Sequence, residues 1–172
     1  MKFLETKSRQ RNQHSKNNLN SQILILKYLI MENTITETIT VETIVNNSIE
    51  KVWAHWNEPL HITKWCFASD DWCAPSAEND LRTGGKFKTR MEAKDASVGF
   101  DFEAVYTNVE MHKVIEYKMA DDRKVKITFA TNGNETKVTE TFDPEKENSL
   151  ELQQSGWQAI LNNFKKYSEQ QP

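Results

Sequence analysis

Residues 149–169, SLELQQSGWQAILNNFKKYSE, carry the longest amphipathic pattern in the chain. The large apolar side chains recur every three or four positions, so they form one stripe along a helix. Asn148 and Glu151 have the spacing of a capping box, and Pro144 interrupts the strand before them, which predicts a helix over 149–169. Such a helix must cover an apolar surface with its stripe. The stripe consists of Trp157, Ile160, Leu161, Phe164 and either Tyr167 or Ser168.

The segment before this helix supplies that surface, because apolar and polar residues alternate there over several strand-length runs. Strict alternation indicates an antiparallel sheet with one apolar face and one wet face. Gly84-Gly85 predicts a turn before these strands, and Asn132-Gly133-Asn134 predicts a hairpin before the last of them. The alternating sets are Phe87, Thr89 and Met91; Phe100, Phe102, Ala104 and Tyr106; Ile115, Tyr117 and Met119; Val125, Ile127 and Phe129; and Val138, Glu140 and Phe142.

Further towards the N-terminus, Ile35–Val45 alternates with period two and is rich in Thr, Ile and Val, which predicts a strand. Asn47 and Glu50 resemble a capping box at the start of a short helix. This helix must end before Pro59, because the residue preceding a proline is pushed out of the helical region. A second short helix is predicted over Leu60–Trp65.

Residues 67–79 show no periodicity and are predicted to form a loop. Two interpretations of this loop stay open. In the first, the loop with Asp70, Asp71 and Trp72 gates a cavity mouth or forms part of a partner surface. In the second, Trp65 and Trp72 pack down onto the end of the sheet as a satellite core.

Composition and charge exclude several classes of protein. The 172 residues include five Trp, eight Phe and four Tyr, which argues against a disordered chain. The net charge of −3 is uneven, because residues 1–30 carry +5 and residues 31–172 carry −8. An acidic body lacks the basic surface that nucleic acids and anionic membranes require. The longest apolar run, Ile23–Ile30, is far shorter than the roughly 20 residues of a membrane span, so a cytoplasmic protein is expected.

Residues 1–30 differ from the rest of the chain and are separated here as a basic N-terminal extension before a domain over 31–172. Three interpretations are open for this extension. It is a disordered arm, it adds a helix over Ile23–Ile30, or it is upstream sequence translated from a start codon assigned too early, because Met31 opens the organised chain.

Five motifs occur in a fixed order along residues 35–168 and together resemble the helix-grip fold of the START-like (SRPBCC) superfamily. Within it, the chain is similar to the family named after the C-terminal domain of the activator of heat-shock protein 90 ATPase. The resemblance implies an α+β fold in which a strongly bent antiparallel sheet of about six to seven strands wraps around the C-terminal helix, with two short helices after the first strand. The motifs are Val52-Trp53 with Trp56 and Pro59; Trp65; LRTGGKF at 81–87; FEAVY at 102–106; and Gly156-Trp157 with Leu161 and Tyr167.

Two departures from this family are visible. The eukaryotic activator has a separate N-terminal domain that shares in client binding, and residues 1–30 are too short to form it. Ala104 stands where many relatives have glycine.

A bent sheet around a helix encloses a space, and two interpretations of that space stay open. The side chains either pack it into an ordinary core with a small pocket or leave a cavity for an apolar ligand. Tyr106 and Tyr117 are candidate hydroxyl donors to such a ligand. The predicted ligand-binding residues are Trp53, Trp56, Phe87, Met91, Phe100, Phe102, Tyr106, Tyr117, Phe129, Glu140, Trp157, Leu161 and Phe164.

Glu140 is the one acidic residue among these, because the alternation places it on the apolar face between Val138 and Phe142. A carboxyl group there must be hydrogen-bonded, paired with a base, or neutral with a raised pKa. It therefore either orients a ligand or acts as a general acid or base, unless the strand is wet at that point.

No metal site, cofactor or catalytic residue is predicted. His61, Cys66 and Cys73 offer only three candidate ligands at a spacing that zinc sites do not use, so reduced thiols are expected. Gly84-Gly85 lies between strands, which is not the context of a phosphate-binding loop.

Three functional hypotheses follow. The first is a non-enzymatic domain that binds a small hydrophobic or amphipathic ligand between the helix and the sheet. The second, implied by the resemblance, is a stress-related accessory that contacts a chaperone or another protein. The third, implied by the resemblance to a superfamily that includes such enzymes, is a cyclase or dehydratase with Glu140 or a histidine as the acid–base group. The oligomeric state stays open.

Overall fold

A computed structural model describes residues 37–171, in which seven strands form one antiparallel sheet. The extension predicted over residues 1–30 lies outside these residues, as do Ile35 and Thr36 of the first predicted strand. The strands are β1 (Ile39–Val45), β2 (Trp72–Asn79), β3 (Lys86–Ala93), β4 (Gly99–Glu110), β5 (Val114–Met119), β6 (Lys124–Asn132) and β7 (Glu135–Phe142), and the helices are α1 (Ile49–Asn57), α2 (Pro59–Trp65) and α3 (Leu150–Gln170).

The α+β helix-grip fold is confirmed. The strand order across the sheet is β1-β7-β6-β5-β4-β3-β2, so every neighbouring pair except β1 with β7 is also consecutive in the chain. Helix α3 packs beside β1, and the two short helices that follow β1 pack against each other and, through α2, against β2. Among residues 37–171, no helix combines the length and the hydrophobicity needed to cross a membrane.

The helix-capping predictions are each wrong by one residue. The N-cap of α3 is Ser149, whose hydroxyl accepts a hydrogen bond from the Leu152 N–H at 3.2 Å, and Asn148 instead binds Glu145. Ser48 precedes α1 without a side-chain cap, while the Asn47 amide donates to the Ser168 carbonyl at 2.7 Å. Asn47 thus holds the C-terminal end of α3 instead of capping α1.

The loop predicted over residues 67–79 is wrong for its second half, which forms β2 at the edge of the sheet. Pro75 hid this strand, because proline cannot donate to a ladder of hydrogen bonds. At an edge only one side of the strand is paired, and the register with β3 shifts between Cys73 and Ser76, where the proline lies.

Both predicted turns are confirmed. Gly133 has a φ of +63°, as a two-residue hairpin between Asn132 and Glu135 requires. Gly85 follows Gly84 in the turn before β3, and a Cβ atom on Gly85 would lie 2.0 Å from the Asp80 carbonyl oxygen. The chain can make this turn only where no side chain intervenes.

Gly85→Ala is expected to lower the free energy of unfolding by about 3 kcal/mol, because its Cβ would overlap backbone that cannot move easily. Gly133→Ala is the matched control. Its Cβ would meet no atom within 4 Å, so only the left-handed backbone disfavours it, at about 1 kcal/mol. Urea unfolding of both variants measures the difference, and equal losses would contradict the contact at Gly85.

Candidate functional site

A cavity of about 350 Å³ lies between α3, the two short helices and the inner face of the sheet. Its walls are mostly aromatic and aliphatic, as in sites that bind apolar small molecules. Nine of the thirteen residues predicted from the sequence line it: Trp56, Phe87, Met91, Phe100, Phe102, Tyr106, Tyr117, Glu140 and Trp157.

The other four predicted residues, Trp53, Phe129, Leu161 and Phe164, do not line the cavity but pack beside it in the core. The Trp53 and Phe129 rings meet edge to face with their centroids 5.1 Å apart. Phe164 is fully buried, and its ring packs against Trp56 at 4.7 Å. Part of the space under the helix is therefore closely packed core, and the rest is open.

Ring contacts hold the aromatic walls in place. Phe87 packs against Phe102, Tyr106 and Tyr117, with ring centroids 5.4, 5.8 and 5.2 Å away. Trp157 stacks on Phe142 with the two ring centroids 3.9 Å apart and an angle of 17° between the ring planes. Each of these rings is therefore positioned by contact with at least one other ring.

Glu140 projects from β7 towards the cavity, and only 5% of its surface is exposed to solvent. Within residues 37–171, no hydrogen bond or ion pair reaches its carboxyl group. Burial raises the pKa of Glu140 to about 8, because the charged form is poorly solvated there. Of the three arrangements open from the sequence, the carboxyl group adopts the one with a raised pKa.

Two further ionisable groups lie near this carboxyl. Burial raises the pKa of the Cys66 thiol to about 12, and the Glu140 charge adds to the effect. The pKa of Tyr117 is raised well above its ordinary value by the same two causes, with smaller contributions from Tyr106 and Cys66. Both groups are therefore neutral at physiological pH and supply no charge to balance a carboxylate.

Thr89 is a site residue that sequence reasoning missed. It is fully buried on β3, it lines the cavity, and its hydroxyl has no hydrogen-bond partner in the described part of the chain. The alternation placed it on the apolar face, but a threonine in a strand gives no further signal. An unsatisfied buried hydroxyl is costly, so it marks a place where a partner is missing.

The two tyrosines predicted as hydroxyl donors differ. The Tyr106 hydroxyl donates to Asn79 Oδ1 at 2.8 Å, and the Asn79 amide donates to the Asn57 carbonyl at 2.7 Å. Tyr106 is therefore already engaged, whereas the Tyr117 hydroxyl takes part in none of the hydrogen bonds among residues 37–171. Asn79 was missed because it lay in the segment predicted as a loop.

An apolar groove runs beside the N-terminal half of α3 and shares six lining residues with the cavity. Trp72 lies in this groove, and the centroid of its ring is 6.0 Å from that of Phe100. The Phe100 side chain is 47% exposed. Trp65 instead packs in the core against Phe164 at 5.0 Å. Trp65 is thus part of the core, whereas Trp72 lines the groove. The shared residues are Met91, Phe100, Asn148, Gln153, Trp157 and Ile160.

The metal-ligating candidates do not come together. His61 Nδ1 is 2.6 Å from the Tyr167 hydroxyl, and Cys66 and Cys73 are free thiols. Among the residues that the structure describes, no group of three or more His, Cys, Asp or Glu side chains is arranged to hold a metal ion.

Thr89→Val is expected to raise the free energy of unfolding by about 1 kcal/mol, because it deletes a buried hydroxyl without a partner. Thr136→Val is the matched control. Thr136 is equally buried, but its hydroxyl donates to the Asn47 carbonyl at 2.9 Å, so its loss should cost about 1 kcal/mol. Chemical unfolding of the ligand-free protein measures both, and changes of the same sign would refute this account of Thr89.

Glu140→Gln should change how stability depends on pH. Between the ordinary pKa of 4.5 and the folded value of about 8, the folded state keeps a proton that the unfolded chain has released. The contribution of Glu140 to the free energy of unfolding therefore falls by roughly 1.4 kcal/mol per pH unit across this window and levels off above it. The variant has no carboxyl group to titrate at this position. Its free energy of unfolding, relative to that of the wild-type protein, should therefore increase from pH 5 to pH 7. Urea unfolding of both proteins at each pH measures this difference. If their free energies of unfolding change with pH in parallel, the assigned burial of Glu140 is contradicted.

Comparisons with known proteins agree with this architecture. The family model described as Activator of Hsp90 ATPase homolog 1-like protein matches residues 46–169. No curated protein matches the chain. The solution structure of an AHSA1-like protein from Aeromonas hydrophila is 43% identical with a TM-score of 0.73, and the match covers 77% of this chain and 92% of that one.

A solution structure from Cytophaga hutchinsonii is 57% identical over the same shares of the two chains, with a TM-score of 0.68. A crystal structure from Nitrosomonas europaea, with 17% identity and a TM-score of 0.67, covers 79% of this chain and 96% of that one and shares the fold. The chain belongs to the family of Activator of Hsp90 ATPase homolog 1-like proteins.

Proposed function

We propose that the protein binds a small hydrophobic or amphipathic ligand in the cavity beneath α3. The observation that carries this proposal is the combination of apolar walls with two buried polar groups, the Glu140 carboxyl and the Thr89 hydroxyl, that have no partner among residues 37–171. A buried polar group without a partner costs free energy, and a ligand inside the cavity would supply a partner for the Glu140 carboxyl.

The size of the cavity favours a compact ligand. Small-molecule sites usually enclose roughly 300–1,000 Å³, and this cavity lies at the lower end of that range. The fixed aromatic rings favour a ligand with a flat apolar body, because such a body can stack on ring faces at little conformational cost.

The groove beside α3 is the proposed route to the cavity. Gly156 lies on the groove, and a Cβ atom there would meet no other atom within 4 Å. The first atom of a side chain at this position therefore has room, a larger side chain would extend into the groove, and replacing a glycine within a helix also favours folding.

Blocking the groove should prevent binding. With N-phenyl-1-naphthylamine as a fluorescent apolar probe, we expect saturable binding to the wild-type protein and at least a tenfold weaker affinity for Gly156→Trp. Ser155→Trp is the control, because Ser155 is exposed on α3 and does not line the groove. Binding by Gly156→Trp as tight as by the wild-type protein would contradict the proposed route, and absence of binding to the wild-type protein would count against the cavity as a site.

Native mass spectrometry of the gently purified protein complements this test. A discrete added mass that disappears on denaturation is expected if the natural ligand is retained. The hypotheses of a chaperone or other protein partner, of a role in the stress response and of a cytoplasmic location stay predictions. The partner hypothesis rests on the family resemblance, and a pull-down from lysate tests it.

A further inference from the structure

We infer that the ligand of this cavity is a hydrophobic amine, a compact apolar molecule whose ammonium group pairs with the Glu140 carboxylate. This inference rests on the proposed binding function and names the chemical class of the ligand.

The first argument is the distribution of charge around the cavity. Arg123 is the one basic residue among the lining residues, and its guanidinium is paired with Asp121 at 2.7 Å. No described cation lies within ion-pairing distance of Glu140. Among residues 37–171, the cavity therefore contains one buried acid without a base, and a cationic ligand would balance its charge.

The second argument is the immediate surroundings of the carboxyl. Glu140 pairs across the sheet with Ile127 on β6 and Val41 on β1, and Ile127 pairs in turn with Ile115. These neighbours are apolar and buried. Where Glu140 is ionised, a carboxylate ligand would bring a second negative charge into the same apolar space, so the ionised site disfavours fatty acids and other anions.

The third argument is the aromatic lining. Phe87, Phe102, Tyr117 and Trp157 all line the cavity that Glu140 faces. An ammonium group is attracted to the faces of such rings, and the attraction strengthens where water is excluded. The same rings accept an apolar body, so the walls suit both parts of an amphipathic amine.

Ionisation of Glu140 sets the expected pH dependence. Cys66 and Tyr117, whose pKa values the charge of Glu140 affects, are neutral, and the other ionisable lining residues are Tyr106, Arg123 and Glu145. The lining residues that α1, α2 and α3 contribute are uncharged. With a pKa of about 8, Glu140 is ionised in roughly one molecule in ten at pH 7, which lowers the affinity for an ammonium ligand about tenfold. Affinity for an amine should therefore rise between pH 7 and pH 8.5, whereas affinity for a neutral hydrogen-bond acceptor should fall.

Three probes of matched shape test the inference by isothermal titration calorimetry on the full chain: 2-(1-naphthyl)ethylamine, 2-(1-naphthyl)ethanol and 1-naphthylacetate. At pH 8.5 we expect the amine to bind at least tenfold more tightly than the alcohol and the acetate to bind most weakly. Between pH 7 and pH 8.5 the affinity for the amine should rise roughly eightfold.

Glu140→Gln keeps the shape of the side chain and removes its charge, so the amine should bind this variant within about twofold of the alcohol. Glu135→Gln, which alters a carboxyl on the same strand that does not line the cavity, should keep the preference of the wild-type protein.

The results distinguish failure of this inference from failure of the proposed function. Equal or tighter binding of the alcohol or the acetate, a fall in amine affinity with rising pH, or a preference that survives Glu140→Gln overturns the inference and leaves the binding function standing. Failure of all three probes to bind also overturns the inference, and if N-phenyl-1-naphthylamine fails to bind as well, the proposed function fails with it.

Discussion

The contact between α3 and the concave sheet is the constraint on which the rest of the molecule depends, and the two halves of the helix meet it differently. Towards the C-terminus, Leu161 and Phe164 are fully buried, and Ser168 is tied to both Asn47 and His55. Towards the N-terminus of the helix, Trp157 lines the cavity. Side chains from the short helices α1 and α2 line the cavity beneath this half of α3.

The two polar groups at the cavity, Glu140 and Thr89, destabilise the folded protein, whereas the core residues around them stabilise it. Glu140 and Thr89 sit on central parts of β7 and β3 where an apolar side chain would pack at no electrostatic cost. Structural polar groups nearby are satisfied, as Tyr106 and Asn79 show by their mutual hydrogen bond. The unpartnered pair is thus local to the cavity and is not a general feature of this interior. A ligand that binds only the folded state would offset the cost by mass action.

The sequence predicted the sheet and the helices well, because alternation and helical spacing depend on which face is buried. The same patterns do not show whether an inward-facing side chain is packed in the core or borders a cavity. Phe129 and Phe87 both alternate inward, yet Phe129 is covered by Trp53 and Phe87 borders the cavity. Periodicity also fails where proline interrupts an edge strand, as in β2, and it cannot distinguish a satisfied threonine such as Thr136 from an orphaned one such as Thr89.

Glu140 shows why one side chain links the fold to the chemistry of the site. Its position follows from β7 alternation alone, with Val138 and Phe142 buried on either side. Its missing partner follows from three-dimensional placement, because the neighbouring strands present isoleucine and valine. The apolar surroundings that make the charge costly in the empty cavity would also strengthen its attraction to a bound cation. The burial that weakens the ligand-free protein is therefore the same property that would give the site its preference between ligands.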